Sequence, residues 1–194
     1  TQGVNRGSGT TTTAYFNQYF EKTGATSTLY VYALGQLLAT VEGNGSATST
    51  HIAHTDHLSG TNVMSDKNGT LSQLATYYPY GGVRQNEKTG TFDEKRKAIG
   101  QYYDDATDLN YYNARYMSGS LGRFVSIDPI SREVPALEFL ANPQSINTYS
   151  YANNNPINGS DPLGLFNIAT GHVDRGDTTS GIAMTINAKY SSSY

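Results

Sequence analysis

The chain has 194 residues, with 13 Lys and Arg against 16 Asp and Glu for a net charge of −3, and it carries 20 Gly, 16 Tyr, 6 Phe, no Trp and no Cys. Absence of cysteine excludes disulfides, thiolate metal sites and cysteine nucleophiles, and absence of a basic block leaves nothing to neutralise a run of phosphates, so nucleic acid is not an expected partner. A hydrophobic share of 37% with Tyr and Gly in excess suits β-structure with many turns, because Tyr packs on a half-buried pleated surface and keeps its hydroxyl near water.

Residues 1 to 14, with the run Thr10 to Thr13, have little to bury and read as a flexible or edge-pairing lead-in. From Tyr15 the pattern changes to short apolar and aromatic runs: Tyr15, Phe16, Tyr19, Phe20, then Leu29 to Tyr32, Leu37, Leu38 and Val41. Gly24, Gly35 and Glu42-Gly43-Asn44-Gly45 separate them, which predicts a strand-and-turn meander. Asn44-Gly45 and Asn68-Gly69 are the hairpin signals, since a type I′ turn wants positive φ at both central residues. No apolar run approaches the roughly 20 residues that a membrane-spanning helix needs. The chain begins at Thr1 without Met or a signal-like segment, which reads as a processed product or a piece of something longer.

His51, His54, Asp56 and His57 are the one dense set of potential metal ligands. In a strand, alternation puts His51 and His57 on one face and His54 with Asp56 on the other, so no metal and no cofactor is expected. Tyr77-Tyr78-Pro79-Tyr80-Gly81-Gly82 reads as the end of the ribbon. Gln85 to Lys97, the most polar stretch and mixed in sign, reads as a solvated loop. Arg115 stands among aromatics, where a buried guanidinium needs a carboxylate or several carbonyls to offset its desolvation, which is a structural role. Ser131 to Leu140 is the helix candidate, with Ser131 as cap and Val134, Leu137 and Leu140 on one side. After Leu165 the character shifts to Gly-punctuated polar sequence with a strand candidate at 181–190; His172, Asp174, Arg175 and Asp177 read as loop.

Two Asp-Pro dipeptides bracket the most distinctive stretch: Gly122-Arg123-Phe124 leading to Asp128-Pro129, then Asn142-Pro143, Tyr149-Ser150-Tyr151, Asn153-Asn154-Asn155-Pro156, and Asp161-Pro162-Leu163-Gly164-Leu165. This stretch closely resembles the C-terminal end of the Rhs (YD-repeat) core domain. Further elements are similar to the same family. They are a degenerate repeat at Tyr30 to Thr40, in which Ala33 stands where the repeat has Asp, the His54-Thr55-Asp56-His57-Leu58 element, and the run from Gly100-Gln101 through Ala114-Arg115-Tyr116.

The resemblance implies a mainly β fold: an antiparallel YD-type ribbon over 1–85, an inward-spiralling core plug over 86–165 with one short helix, and a C-terminal extension over 166–194. It implies a terminal plug and shell segment that encapsulates and cuts itself from a C-terminal payload, in toxin delivery or bacterial competition, secreted or at the cell surface. On this chain the bond to be cut joins Leu165 to Phe166, with Asp128 and Asp161 as the catalytic pair and Arg123 near them in a catalytic or ion-pairing role. The chemistry stands on its own terms, because two close carboxylates do not both ionise easily, so one stays protonated while the other activates water. The other reading is that each Asp caps its own Asp-Pro turn. A second function class is a non-catalytic extracellular structural or adhesive protein whose open β-edges pair with its own segments or with other copies, as a homo-oligomer or filament.

Overall fold

The computed structural model describes residues 2–5, 10–129 and 147–165, and the helix expected over 131–140 and everything from Phe166 onward lie outside them. Thirteen strands are described, with no α-helix among the described residues. Nine form one sheet in strict chain order: β1 (Gln2–Asn5), β2 (Thr10–Asn17), β3 (Phe20–Thr23), β4 (Thr26–Ala33), β5 (Gln36–Gly43), β6 (Thr48–Thr55), β7 (Thr61–Asp66), β8 (Leu71–Tyr77) and β9 (Val83–Lys88). Four more form a second meander: β10 (Tyr102–Asp104), β11 (Leu109–Tyr112), β12 (Arg115–Ser118) and β13 (Arg123–Phe124). The ribbon therefore runs one strand past the Tyr77 to Gly82 turn at which the sequence suggested it would end.

By contact the chain forms two compact units. One comprises Thr1–Ala75 with Asn86–Glu94, the other Thr76–Gln85 with Lys95 onward.

In the first unit the turns are set by side chains that accept hydrogen bonds from the backbone ahead of them, which satisfies amides that the ladder leaves free. Asp66 Oδ1 accepts from the N–H groups of Asn68 and Thr70, both at 2.8 Å, and these bonds pull its carboxyl below the usual range. Asp56 Oδ1 does the same for Leu58 and Gly60 at 2.9 and 2.8 Å. Asn44 Oδ1 accepts from Ser46 and Ala47. Its loop is the four residues between β5 and β6, with positive φ at Gly45 and not at Asn44. The expected turn is thus present, but Asn44 works as a cap, not as a left-handed residue.

Where the degenerate repeat lacks its Asp, the turn is made by backbone strain instead. Ala33 pairs with Gln36, and both central residues are left-handed, Leu34 at φ 51° and Gly35 at φ 74°. Gly35 tolerates this, whereas Leu34 meets the Cβ penalty while 95% exposed, so it gains nothing from packing. Leu34→Asn is expected to stabilise the protein by about 1 kcal/mol. Denaturant titration read from tyrosine fluorescence checks this; a lower midpoint would mean that Leu34 makes a contact it does not show here.

The polar stretch 85–97 is a correction to the solvated-loop expectation. Residues 87–91 are exposed as expected, but Phe92 and Glu94 pack back on the ribbon, 6% and 2% exposed. Buried partners offset the desolvation of these polar groups. Thr40 Oγ1 donates to Glu94 Oε2. The Gln73 amide donates to Asn86 Oδ1 at 2.6 Å and to Asp93 Oδ1 at 3.1 Å, and its carbonyl accepts the Glu94 N–H at 2.7 Å. Sequence polarity misled here because Asn86, Asp93 and Glu94 meet matching side chains, Gln73 and Thr40, on strands earlier in the sequence.

Candidate functional site

The second unit is built on the β11–β12 hairpin. Alternation along its strands sends Tyr112, Arg115 and Met117 inward and Tyr111 and Tyr116 outward. Phe124 enters from β13, and Tyr151 from the aromatic segment beyond residue 147, completing a core of Tyr112, Met117, Phe124 and Tyr151. Tyr112, Phe124 and Tyr151 meet one another edge to face, with ring centroids 5.6 to 5.9 Å apart, a favoured arrangement because ring edges are positive and faces negative. The chain after Tyr151 turns through three successive left-handed residues, Ala152, Asn153 and Asn154, at φ 46°, 52° and 58°. Asn accepts such angles more readily than most side chains, which gives the Asn-rich run its purpose.

Arg115 lies on this aromatic floor, its guanidinium carbon 3.6 Å from the centre of the Phe124 ring. The residue is 3% exposed, so its positive charge needs partners on all sides. Its Nε donates to Gly164 O at 2.6 Å and its Nη1 to Thr148 O at 2.9 Å. Its Nη2 lies 2.9 Å from Asp128 Oδ2 and 3.2 Å from Asp161 Oδ2. One nitrogen thereby holds both aspartates. Thr148 O also accepts the Asp128 N–H at 3.1 Å, so the first Asp-Pro is tied to the same carbonyl as the arginine.

Asp161 completes the arrangement. Its Oδ1 accepts the Leu165 N–H at 3.0 Å, and its backbone carbonyl accepts from Gly164 at 3.2 Å. Burial pushes its carboxyl up to about 7; the Arg115 charge and the Leu165 N–H oppose this, while the neighbouring Asp128 adds to it. The phenols of Tyr112 and Tyr151 are hydrogen-bonded to each other, and burial raises both. Tyr151 also receives a hydrogen bond from the Asp161 backbone, so the aromatic floor holds the acidic turn from below. Chemically, the site is a buried cation flanked by two anions, one of which takes up a proton near neutrality. Both carboxyls meet at one guanidinium, and one of them, Asp161, also reaches the backbone N–H of Leu165.

Asp128, Asp161 and Leu165, singled out from sequence, are thus brought together, and Phe166 lies outside the described residues. Arg123 is not the guanidinium between the aspartates. It occupies an outward position on β13 and is exposed, whereas its neighbour Phe124 points in, and Arg115 takes the place assigned to it. The remaining candidates lie in the first unit. His51 Nδ1 is 2.9 Å from Ser72 Oγ and its ring stacks on Phe92 at 3.6 Å, with burial lowering its pKa against the pull of Asp66. His54 Nε2 is 3.0 Å from Ser65 Oγ. His57 falls beyond the end of β6, so strand alternation does not reach it. Among the described residues no three acidic or imidazole side chains are grouped to hold a metal ion, and no helix is long and apolar enough to cross a membrane.

Similarity to known proteins agrees with this fold. Double-stranded DNA deaminase toxin A of Burkholderia cenocepacia (strain H111) is 31% identical over 115 residues, 58% of this chain and 7% of that protein. Toxin subunit YenC1 of Yersinia entomophaga is 33% identical over 113 residues, 57% of this chain and 11% of that subunit. The crystal structure of TcdB2-TccC3 matches with a TM-score of 0.66 at 20% identity, over 84% of this chain and 8% of that one. The chain therefore spans only a small part of each of these proteins, and the structural likeness speaks for the fold. A family model described as Teneurin YD-shell matches residues 13–157, well over half the chain, and with the strand meander in place this chain belongs to the Teneurin YD-shell family of Rhs-type proteins.

Proposed function

We propose that this chain is the terminal plug and adjoining shell segment of a toxin-delivery protein of the YD-repeat kind, and that Asp128 and Asp161 cut the Leu165–Phe166 bond to release the C-terminal segment. The observation that carries the reading is the grip of Asp161 on the Leu165 N–H while its other oxygen shares Arg115 with Asp128. Asp161 thereby holds the N–H of the residue whose carbonyl is to be attacked, and Arg115 ties Asp128 to it. The small share of each relative that the chain covers, and the word toxin in the names of two of them, support a part within a larger secreted or delivered assembly whose other segments are its partners.

The reaction is a hydrolysis. The Asp128 carboxylate takes a proton from water, and the hydroxide adds to the Leu165 carbonyl carbon. Protonated Asp161 gives its proton to the departing nitrogen of Phe166 as the C–N bond breaks, leaving a Phe166 amine and a Leu165 carboxylic acid that ionises to solvent, while Asp128 keeps the water proton and Asp161 is left ionised. Arg115 holds both carboxyls in place, and its positive charge faces the negative charge that develops on the adduct.

Mass spectrometry of freshly made chain tests the reading: a fragment beginning at Phe166 supports it, and an intact mass between pH 4 and 8 sinks it. The pH dependence carries a sign. Burial raises Asp161 to about 7, so its acid form is present below that value and is lost as pH rises through it. Cutting is therefore expected to be fastest on the acid side of neutrality and to slow about tenfold per unit above pH 7. A rate that climbs steadily from pH 6 to pH 9 would remove Asp161 from the role of acid.

A further inference from the structure

The turn between β11 and β12 meets the chain ahead of Leu165 in an ordered series. Asn113 Nδ2 donates to Pro162 O at 3.0 Å. The Ala114 N–H, shared with Tyr112 O at 2.6 Å, reaches Leu163 O at 3.1 Å. Arg115 Nε donates to Gly164 O at 2.6 Å. Three consecutive residues thus take three consecutive carbonyls, and Asp161 Oδ1 takes the next N–H, that of Leu165. The following carbonyl in the series is that of Leu165 itself.

Backbone fit pins this register at Gly164. A Cβ there would lie 2.5 Å from Tyr112 O and 3.2 Å from the Arg115 nitrogen, and the residue has φ +63°. A slip of one residue in either direction would push a side chain into that gap and move every carbonyl off its donor. Asn113 is itself left-handed, at φ 58°, which aims its amide across the turn at Pro162.

We propose that Asn113, Ala114 and Arg115 form a ruler that selects the bond offered to the aspartates by counting carbonyls from Pro162. The cut position then follows the number of residues after Asp161, not the side chain at 165 or 166. Asn113 and Ala114 are specificity-determining residues that act on the backbone of the segment. The proposal rests on the cleavage reading above, and its test separates the two.

The decisive variant carries one Ala inserted between Gly164 and Leu165, which leaves all three carbonyl contacts intact. Mass spectrometry is expected to show the cut directly after the inserted Ala, giving a fragment that begins at Leu165. A fragment still beginning at Phe166 would mean that the leucine side chain is read, and would overturn the ruler while leaving cleavage standing; a folded insertion chain left uncut would overturn it equally. Leu165→Ala, which keeps every contact in the series, is expected to be cut after position 165, and a displaced cut counts against the proposal. Asn113→Gly keeps the turn and removes one donor. It is expected to slow cutting about fivefold and to spread the products over neighbouring bonds, whereas a role in stability alone would leave a single cut. Should the wild-type chain prove uncut, the cleavage reading fails by itself, and amide exchange then decides the clamp. Faster exchange at Leu165 in Asn113→Gly than in wild type sustains the counted docking, and unchanged exchange overturns it.

Discussion

Asp161→Asn is expected to leave the Leu165–Phe166 bond uncut, with a loss of at least about 10²-fold in rate, the range by which a positioned acid or base contributes. Asn is close to Asp in size and its carbonyl oxygen still accepts the Leu165 N–H, so the turn is kept while the transferable proton and the acceptor for Arg115 are gone. Asp128→Asn is expected to give the same outcome from the other side, because an amide cannot take a proton from water. Intact-mass analysis over several days checks both, and a Phe166-starting fragment in either variant would dismiss that residue from the chemistry. Stability adds an independent readout with a definite sign. Burial raises the folded carboxyl of Asp161 to about 7, so between the ordinary carboxylate range and 7 the folded chain binds a proton that the unfolded chain has released. That contribution to stability is present at low pH and disappears as pH rises through 7. Between pH 5 and pH 8 the denaturant midpoint should therefore fall further for Asp128→Asn, which is uncut and keeps Asp161, than for Asp161→Asn. Equal falls would show that Asp161 is ionised throughout.

Much of this arrangement can be read from residue order, and the parts that cannot have identifiable causes. The two Asp-Pro elements and the Asp161 to Leu165 turn declare themselves as a motif, and structure adds that a single guanidinium joins them. Nearness in sequence pointed to Arg123, five residues ahead of Asp128. Strand alternation decides otherwise, since β13 turns Phe124 inward and Arg123 necessarily outward. The signal for Arg115 was its setting: an arginine among inward aromatics demands carboxylates and carbonyls, and it receives two of each. The Leu34-Gly35 turn shows the opposite limit. Ala33 leaves the turn without the cap that an Asp would give, but nothing local indicates that Leu34 itself would be driven into the left-handed region to close the hairpin. The burial of Glu94 depends on Thr40 and Gln73, far away in sequence, and no local pattern encodes such a partnership.

Arg115→Leu is expected to destabilise the protein by roughly 3–5 kcal/mol, the cost of leaving buried carboxylates without their counter-charge, whereas Arg123→Ala at its exposed position is expected to stay within about 0.5 kcal/mol of wild type. The loss at Arg115 exceeds one ion pair because four contacts go at once: the carbonyls of Thr148 and Gly164, and both aspartates. It also removes the cation from the face of Phe124. Thermal melts of the two variants side by side check the contrast. A near-silent Arg115→Leu would mean that the aspartates find water or repack, and that the guanidinium is not what holds the two Asp-Pro elements together. Arg115→Lys divides charge from shape, since an ammonium keeps the positive charge but has no planar fork to reach two carbonyls and two carboxylates simultaneously. It is expected to recover part of the stability while leaving cleavage impaired. The pH dependence of the Arg115→Leu loss tests the assignment to Asp161, because the penalty comes from uncompensated negative charge and must shrink as Asp161 takes up its proton. A loss that is as large at pH 5 as at pH 8 would place the damage in packing against Phe124 instead of in the acidic pair.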